Sequence, residues 1–298
     1  MNLVSVRRRG LPSLGVLKDG YIIGLEDLVR RAGHKTDLVS SMERFLDGGD
    51  DALLFVSSLL KNSSGHSQGI PFDPTLLAPP ISRPGKIIAV GLNYKDHTTE
   101  TKLEPPAYPL IFAKFPNSIS GPTDPILLPA ADMEVDSEAE LAVVIGRRAK
   151  AVSIDAAYNY IAGYMALNDV SARKWQFADK QWTRGKSCDT FCPTGPWITT
   201  RQDIPDPHNL TIKGTLNSQI LQDSNTAHMI FRIPELVAFI SSTITLEPGD
   251  IIATGTPSGV GAFRKPPIYL KAGDIAGVEI EQLGNLSNPV RLSATTGH

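Results

Sequence analysis

Hydrophobic and polar positions divide the chain into two unequal stretches around a proline-rich interruption. Upstream, short apolar alternations at 3–6, 16–17 and 21–25 predict strands. Apolar residues spaced three and four apart over 26–32, 42–46 and 51–60 predict helices, the last with Ala52, Leu53, Val56, Leu59 and Leu60 on one face. The segment 76–85 contains Pro79, Pro80 and Pro84, which remove backbone donors and enforce extended geometry, so it reads as a linker. Residues 1–80 are therefore expected to form a small accessory α/β domain, and residues 84–298 a larger second one.

Downstream, strands dominate the pattern. The β-branched apolar run at 86–91 suits a buried strand, and further strands are predicted at 108–114, 139–146, 163–167, 210–212, 251–254 and 278–283. Glu247-Pro248-Gly249-Asp250 and Lys271-Ala272-Gly273-Asp274 are turn sequences ahead of the last two. Helix starts are few: Ser153 as a cap, a turn running from Asp169, and Pro234 at a first helical position. The expected fold class is α+β, predominantly β.

Charge enters this pattern at Asp136-Ser137-Glu138-Ala139-Glu140, directly ahead of an apolar run. Alternate strand side chains share a face, so Glu138 and Glu140 project together. Two carboxylates that close repel unless a cation neutralises them, and oxygen-only ligands favour a hard ion such as Mg²⁺, Mn²⁺ or Ca²⁺. Asp169, Arg173 and Gln176 are spaced to share one face of a helical turn, an acid, a cation and an amide suited to a metal, a substrate carboxylate and an oxyanion. His97 and Glu100 meet if their segment is helical, and a carboxylate beside an imidazole makes a general base able to deprotonate water. Lys114 ends a strand, and Lys186 sits in a glycine-containing loop. Gly255-Thr256-Pro257-Ser258-Gly259-Val260-Gly261 is neither a dinucleotide nor a Walker loop, which argues against nucleotide binding and suits a tight loop approaching a small anion.

Composition narrows the classes further. A formal charge of −2 with one basic cluster, Arg7-Arg8-Arg9, offers no footprint for nucleic acid or anionic lipid. No apolar stretch approaches the roughly 20 residues of a membrane helix, and the start of the chain lacks the apolar core of a secretory signal, so a cytosolic protein is expected. Cys188 and Cys192 match neither a zinc knuckle nor a CxxC redox pair and read as buried free thiols. The sequons at Asn62, Asn209 and Asn285 carry no weight in a cytosolic protein, and His34, His66, His208 and His228 read as solvated or structural.

Taken together and in order, Gly91-Leu92-Asn93-Tyr94 with His97 and Glu100, Glu138-Ala139-Glu140-Leu141, Asn168-Asp169-Val170-Ser171-Ala172-Arg173 with Gln176, Gly185-Lys186-Ser187, and Gly255-Thr256-Pro257 with Gly259 and Gly261 resemble the fumarylacetoacetate hydrolase family. The resemblance covers residues 84 to about 290. It implies a mixed β-sandwich or β-roll, a homodimer, and Mg²⁺ or Mn²⁺, with Ca²⁺ as a further hard ion, held by Glu138, Glu140 and Asp169. It also implies a small keto or diketo acid substrate, with His97, Glu100 and Lys186 catalytic and Lys114, Arg173, Gln176, Gly255 and Thr256 binding substrate. The favoured activity is metal-dependent hydrolysis of a C–C bond in a 2,4-diketo acid. Decarboxylation of an oxaloacetate-type acid and isomerisation or tautomerisation of unsaturated hydroxy or keto diacids are the alternatives, and a non-catalytic metal-binding fold is a different class of answer. One departure is Leu216-Asn217-Ser218, where many members carry glycine after the asparagine, so a substrate-facing turn is expected to differ.

Overall fold

The computed structural model describes residues 1–8, 11–61, 69–101 and 104–294; Arg9, Asn62 and His66 lie outside them. A large sheet runs, edge to edge, through Ile70–Pro71, Tyr21–Gly24, Leu11–Lys18, Asn2–Arg8, Cys192–Thr200, Ile161–Asn168, Ala139–Ile145, Ile251–Ala253, Ile87–Gly91 and Leu110–Lys114. The first four of these strands come from the N-terminal 80 residues and join the others through the antiparallel pairs Asn2↔Thr199 and Leu3↔Ile198. All pairings along this path are antiparallel except Ile251–Ala253 with Ile87–Gly91. A second, five-stranded sheet contains Gln219–Asn225, Thr211–Leu216, Ile275–Ile280, Gly284–Leu292 and Ile126–Leu128.

Strand alternation builds two cores on opposite faces of the large sheet. From Ala139–Ile145, the side chains of Leu141, Val143 and Ile145 join Ile212, Val278 and Leu286 of the second sheet and Leu236 and Ile240 of the helix Ile233–Thr243. Ala142 and Val144 face the other way, packing with Leu25, Phe45 and Val56 from the N-terminal helices. This two-sheet sandwich is the mixed, mainly β fold that the pattern predicts. Each buried branched side chain contributes roughly 1.5–3 kcal/mol, so both faces hold the central strands in a single register.

Several elements depart from the sequence pattern. Asp169 does not begin a helix: it follows the strand Ile161–Asn168, and the helix Arg173–Asp179 starts only after the short strand Ser171–Ala172. Ser153 makes no side-chain cap, and Ile154–Tyr160 is a 3₁₀ helix. Lys186 closes a short helix, Trp182–Lys186. The strand Gln219–Asn225 was not predicted because its residues are mostly polar, as suits an edge position. Its hairpin turn is Asn217-Ser218, both at positive φ (49° and 69°), and neither residue lines the cavity described below. Cys192 is buried as expected, while Cys188 is partly exposed.

Candidate functional site

The register of two strands assembles the acidic cluster. In the ladder between Ala139–Ile145 and Ile161–Asn168, Glu140 pairs with Leu167, and beyond its end the Asp169 N–H donates to the Glu138 carbonyl at 2.9 Å. Glu138, Glu140 and Asp169 therefore share the face of Ala142 and Val144, just past the point where that apolar core stops. One carboxylate oxygen from each lies within 4.8 Å of the others, and all three residues are buried.

Three buried cations answer these acids. Lys186 Nζ donates to Glu138 Oε2 and Asp169 Oδ2, both at 2.7 Å. Lys114 Nζ donates to Asp169 Oδ1 at 2.6 Å and to the Lys186 carbonyl. Lys114 is only 1% exposed, which excludes a surface lysine. Arg173 donates through Nε to Asp136 Oδ1 at 2.7 Å, through Nη2 to Glu138 Oε1 at 2.5 Å and through Nη1 to Gln176 Oε1 at 2.8 Å. Asp136 is thus a site residue that the sequence pattern gave no reason to separate from its acidic neighbours.

Counting Asp136, Glu138, Glu140 and Asp169 against Lys114, Arg173 and Lys186 leaves one negative charge, and the pairing shows where it resides. Burial opposes ionisation of Glu138, but Lys186 and Arg173 outweigh it and hold the carboxyl well below its usual range. Burial likewise works against the Lys186 ammonium, and the charges of Asp169 and Glu138 reverse the effect, so this lysine stays protonated. Glu140 has no cationic hydrogen-bond partner among the described residues; its Oε2 accepts from the Gly255 N–H at 2.8 Å. Burial, then the charges of Asp169 and Glu138, push its carboxyl well above the ordinary value. Three converging carboxylates, one of them without a cationic partner and, among the described residues, none accompanied by nitrogen or sulfur ligands, fit a hard divalent cation.

His97 and Glu100 meet within the helix Lys95–Thr101, His97 Nδ1 lying 3.2 Å from Glu100 Oε2. A carboxylate at Nδ1 holds the proton there and leaves Nε2 with its lone pair. The Phe263 ring lies against His97 at 5.5 Å and carries the Arg173 guanidinium at 5.6 Å, a contact that no sequence spacing signals. Thr256 Oγ1 donates to the Ala139 carbonyl at 3.0 Å and accepts from Gln222 Nε2 at 2.7 Å, so this hydroxyl and the Gly255 N–H are both engaged within the protein.

A cavity of about 160 Å³ collects these groups: His97, Glu138, Glu140, Arg173, Gln176, Lys186 and Thr256 line it together with Phe112, Phe177, Trp182 and Phe263. Lys114, Asp169, Glu100 and Gly255 stand behind that lining, each bonded to one of its members. Drug-sized ligands occupy roughly 300–1,000 Å³, so this space suits a small polar molecule. His208 is structural: its Nε2 accepts the Ile233 N–H at 3.0 Å, capping the helix Ile233–Thr243. His34 and His228 are exposed.

The family model described as fumarylacetoacetate (FAA) hydrolase C-terminal matches residues 86–291. Among curated proteins, the chain is 46% identical over 275 residues to the oxaloacetate tautomerase fahd2, mitochondrial, of Xenopus laevis, covering 90% of this chain and 85% of that protein. It is 49% identical over 290 residues to a fumarylacetoacetate hydrolase domain-containing protein 2 homolog of Dictyostelium discoideum, covering 93% and 92%. Among solved structures, maleylpyruvate hydrolase from Sphingobium sp. SYK-6, in complex with manganese(II) and pyruvate, superimposes with a TM-score of 0.79 at 31% identity, over 98% of this chain and 100% of that one. Relatives from Xenopus laevis, Rattus norvegicus, Bos taurus and Homo sapiens are named mitochondrial, which overturns the cytosolic expectation. That expectation rested on missing apolar segments, a criterion blind to the amphipathic, arginine-rich presequences of mitochondrial import. The carboxylates, lysines and histidine dyad that line this small cavity or stand directly behind it lie within a match of this breadth, and the chain belongs to the fumarylacetoacetate hydrolase family.

Proposed function

We propose that the protein is a metal-dependent tautomerase interconverting the enol and keto forms of oxaloacetate or a closely similar short 2-keto diacid. The observation that carries this reading is that two proton-handling groups, His97 and Lys186, line the same 160 Å³ cavity as Glu138 and Glu140 of the acidic cluster. A tautomerisation needs a group to accept a proton at one atom and a group to deliver one at another. Similarity to the Xenopus laevis oxaloacetate tautomerase over 90% of the chain supports the substrate class.

A divalent ion bound by Glu138, Glu140 and Asp169 would supply Lewis-acid stabilisation of the charge developing on the substrate oxygens. His97 Nε2, its tautomer set by Glu100, removes the proton from C3 of the keto form. Lys186, kept protonated by Glu138 and Asp169, donates toward the oxygen on C2. One C–H bond is exchanged for one O–H bond, and the reverse sequence restores the ketone. Arg173 has donated one hydrogen from each terminal nitrogen, so each keeps one for a substrate carboxylate. Because arginine can only donate, Gln176 offers Oε1 to it and keeps its NH₂ for the cavity. Phe112, Phe177 and Trp182 enclose the rest and disfavour a long acyl tail.

Hydrolysis of a C–C bond is the second reading, favoured by the Sphingobium maleylpyruvate hydrolase, and it would employ His97 on water instead of on C3. The two separate in one experiment. With Mn²⁺ or Mg²⁺ present, enol oxaloacetate should lose its ultraviolet absorbance faster than the buffer-catalysed rate, with NMR showing only keto oxaloacetate, and His97→Ala should abolish the acceleration. Pyruvate plus a free acid from acylpyruvates would instead establish the hydrolase, and carbon dioxide from oxaloacetate a decarboxylase. The reading includes a homodimer, which light scattering would report as twice the 32.2 kDa chain mass.

A further inference from the structure

One segment, residues 255–264, holds carboxylates from three parts of the site through its own backbone. The Gly255 N–H donates to Glu140 Oε2 at 2.8 Å, the Gly259 N–H to Glu100 Oε1 at 3.0 Å and the Ala262 N–H to Asp136 Oδ2 at 2.7 Å. The metal cluster, the histidine dyad and the partner of Arg173 thus rest on one stretch of chain. Its path is tightly constrained. Gly259 has φ +98°, and a Cβ there would meet the Leu221 carbonyl at 2.1 Å; one at Gly261 would meet the Ile268 carbonyl at 2.2 Å.

Arg264 locks the centre of this segment. Its Nε donates to the Gly259 carbonyl at 3.1 Å, and its Nη2 to the Leu221 carbonyl, tying residue 259 to the strand Gln219–Asn225. The amide and the carbonyl of Gly259 are therefore both committed, one to Glu100 and one to Arg264. Glu100 in turn reaches His97 Nδ1 with its other oxygen. A carboxylate is a good orienter of imidazole only if it is itself held, as with the outer partners of ligating histidines. Arg264 does not line the cavity.

We propose that Arg264 is a positioning residue for the His97–Glu100 pair, acting through the Gly259 backbone to set the tautomer and orientation of His97. Its kinetic consequence rests on the tautomerase reading; its structural consequence does not. In Arg264→Gln, Glu100 loses its fixed anchor, and the His97 ring samples both neutral tautomers.

The test is a double-mutant cycle with Glu100→Gln, read two ways on purified full-length protein with unfolding midpoints recorded. Enol oxaloacetate turnover in Arg264→Gln should show kcat reduced by about 10–100-fold, a partial loss that stays at or below the low end of the roughly 10²–10⁴ that acid–base catalysis contributes, with KM little changed. Glu100→Gln/Arg264→Gln should match Glu100→Gln alone within about twofold, because both act on one path. Arg264→Lys, which can still reach one carbonyl, should recover part of the rate. Independently, ¹⁵N NMR of the histidine rings, with His97 assigned by its loss in His97→Ala, should show an Nδ1–H tautomer in wild type and a mixture in both single variants. An inactive wild type would remove the tautomerase reading while the NMR arm still decides the role of Arg264. A multiplicative loss in the double variant, or an unchanged His97 tautomer in Arg264→Gln, would overturn the inference.

Discussion

Replacing Glu140 by Gln should have opposite effects on the protein without and with divalent ion. Among the described residues, Glu140 is the one buried acid of the cluster without a cationic hydrogen-bond partner, so in metal-free protein its charge costs stability. Glutamine keeps an oxygen for the Gly255 N–H and removes only the charge. Replacing a buried ion pair by neutral side chains of similar volume is often neutral or stabilising by about 1–4 kcal/mol. A lone buried charge loses less on neutralisation than a pair does, so we expect metal-free Glu140→Gln to exceed wild type within that range. The pH dependence follows from the sign of the shift. A carboxyl raised in the fold binds more protons than in the unfolded chain, so its contribution is fully present below the ordinary carboxylate range and is lost as pH rises toward the folded value. Metal-free wild type should therefore weaken relative to the variant by up to about 1.4 kcal/mol per pH unit over that window. With Mn²⁺ at a hundred times its dissociation constant, wild type should gain about 2.7 kcal/mol. At about 2 °C per kcal/mol for a chain of this size, Tm should rise by about 5 °C. The variant, lacking one of three anionic ligands, should gain almost nothing. Circular-dichroism melts in EDTA and in Mn²⁺ from pH 5 to 8 measure all of this. A variant less stable than wild type in EDTA at pH 8, yet still shifted by Mn²⁺, would refute both the charge count and the assignment of Glu140 as a ligand.

Three further outcomes follow from the same geometry. Lys186→Met strands Glu138 and Asp169 without their shared cation, and urea titration of metal-free protein should show a loss of about 3–5 kcal/mol, with tautomerisation abolished even when Mn²⁺ restores the fold. His208 is held below its ordinary value by burial, so its contribution is complete above the unfolded pKa near 6.5 and declines as pH falls, when protonation of Nε2 ejects the Ile233 N–H. Chemical denaturation of His208→Leu should show a loss of about 1 kcal/mol at pH 8 and a difference from wild type that narrows toward pH 5. Ser218→Gly relieves a left-handed residue at an exposed hairpin tip and should raise stability by about 1 kcal/mol with kcat unaltered; a changed kcat would place that turn in the site.

What could be read from the residues alone is local. Period-two alternation put Glu138 and Glu140 on one face of a strand, and the i, i+3 spacing of His97 and Glu100 brought imidazole to carboxylate within one helical turn. The same rule fails at Asp169, because helical spacing does not run through Val170 and Ser171: irregular backbone at 169–170 leads into the two-residue strand Ser171–Ala172. Asp169 reaches the cluster by strand register.

Contacts between distant elements left no such trace. Lys114 reads from its neighbours as an ordinary strand-end cation, and only the packing of its strand beside Ile87–Gly91 buries it against Asp169, 55 positions away. Asp136 pairs with Arg173 across 37 positions, Glu140 with Gly255 across 115, and Glu100 with Gly259 across 159. Glycine was recognisable in the 255–261 run, but not that its amides would hold the protein's own carboxylates. Spacing within an element reports which side chains share a face, since backbone geometry repeats there. Which charges meet in the dry interior, and which one is left over for a metal, depends on how separate elements dock, and no short-range pattern carries that information.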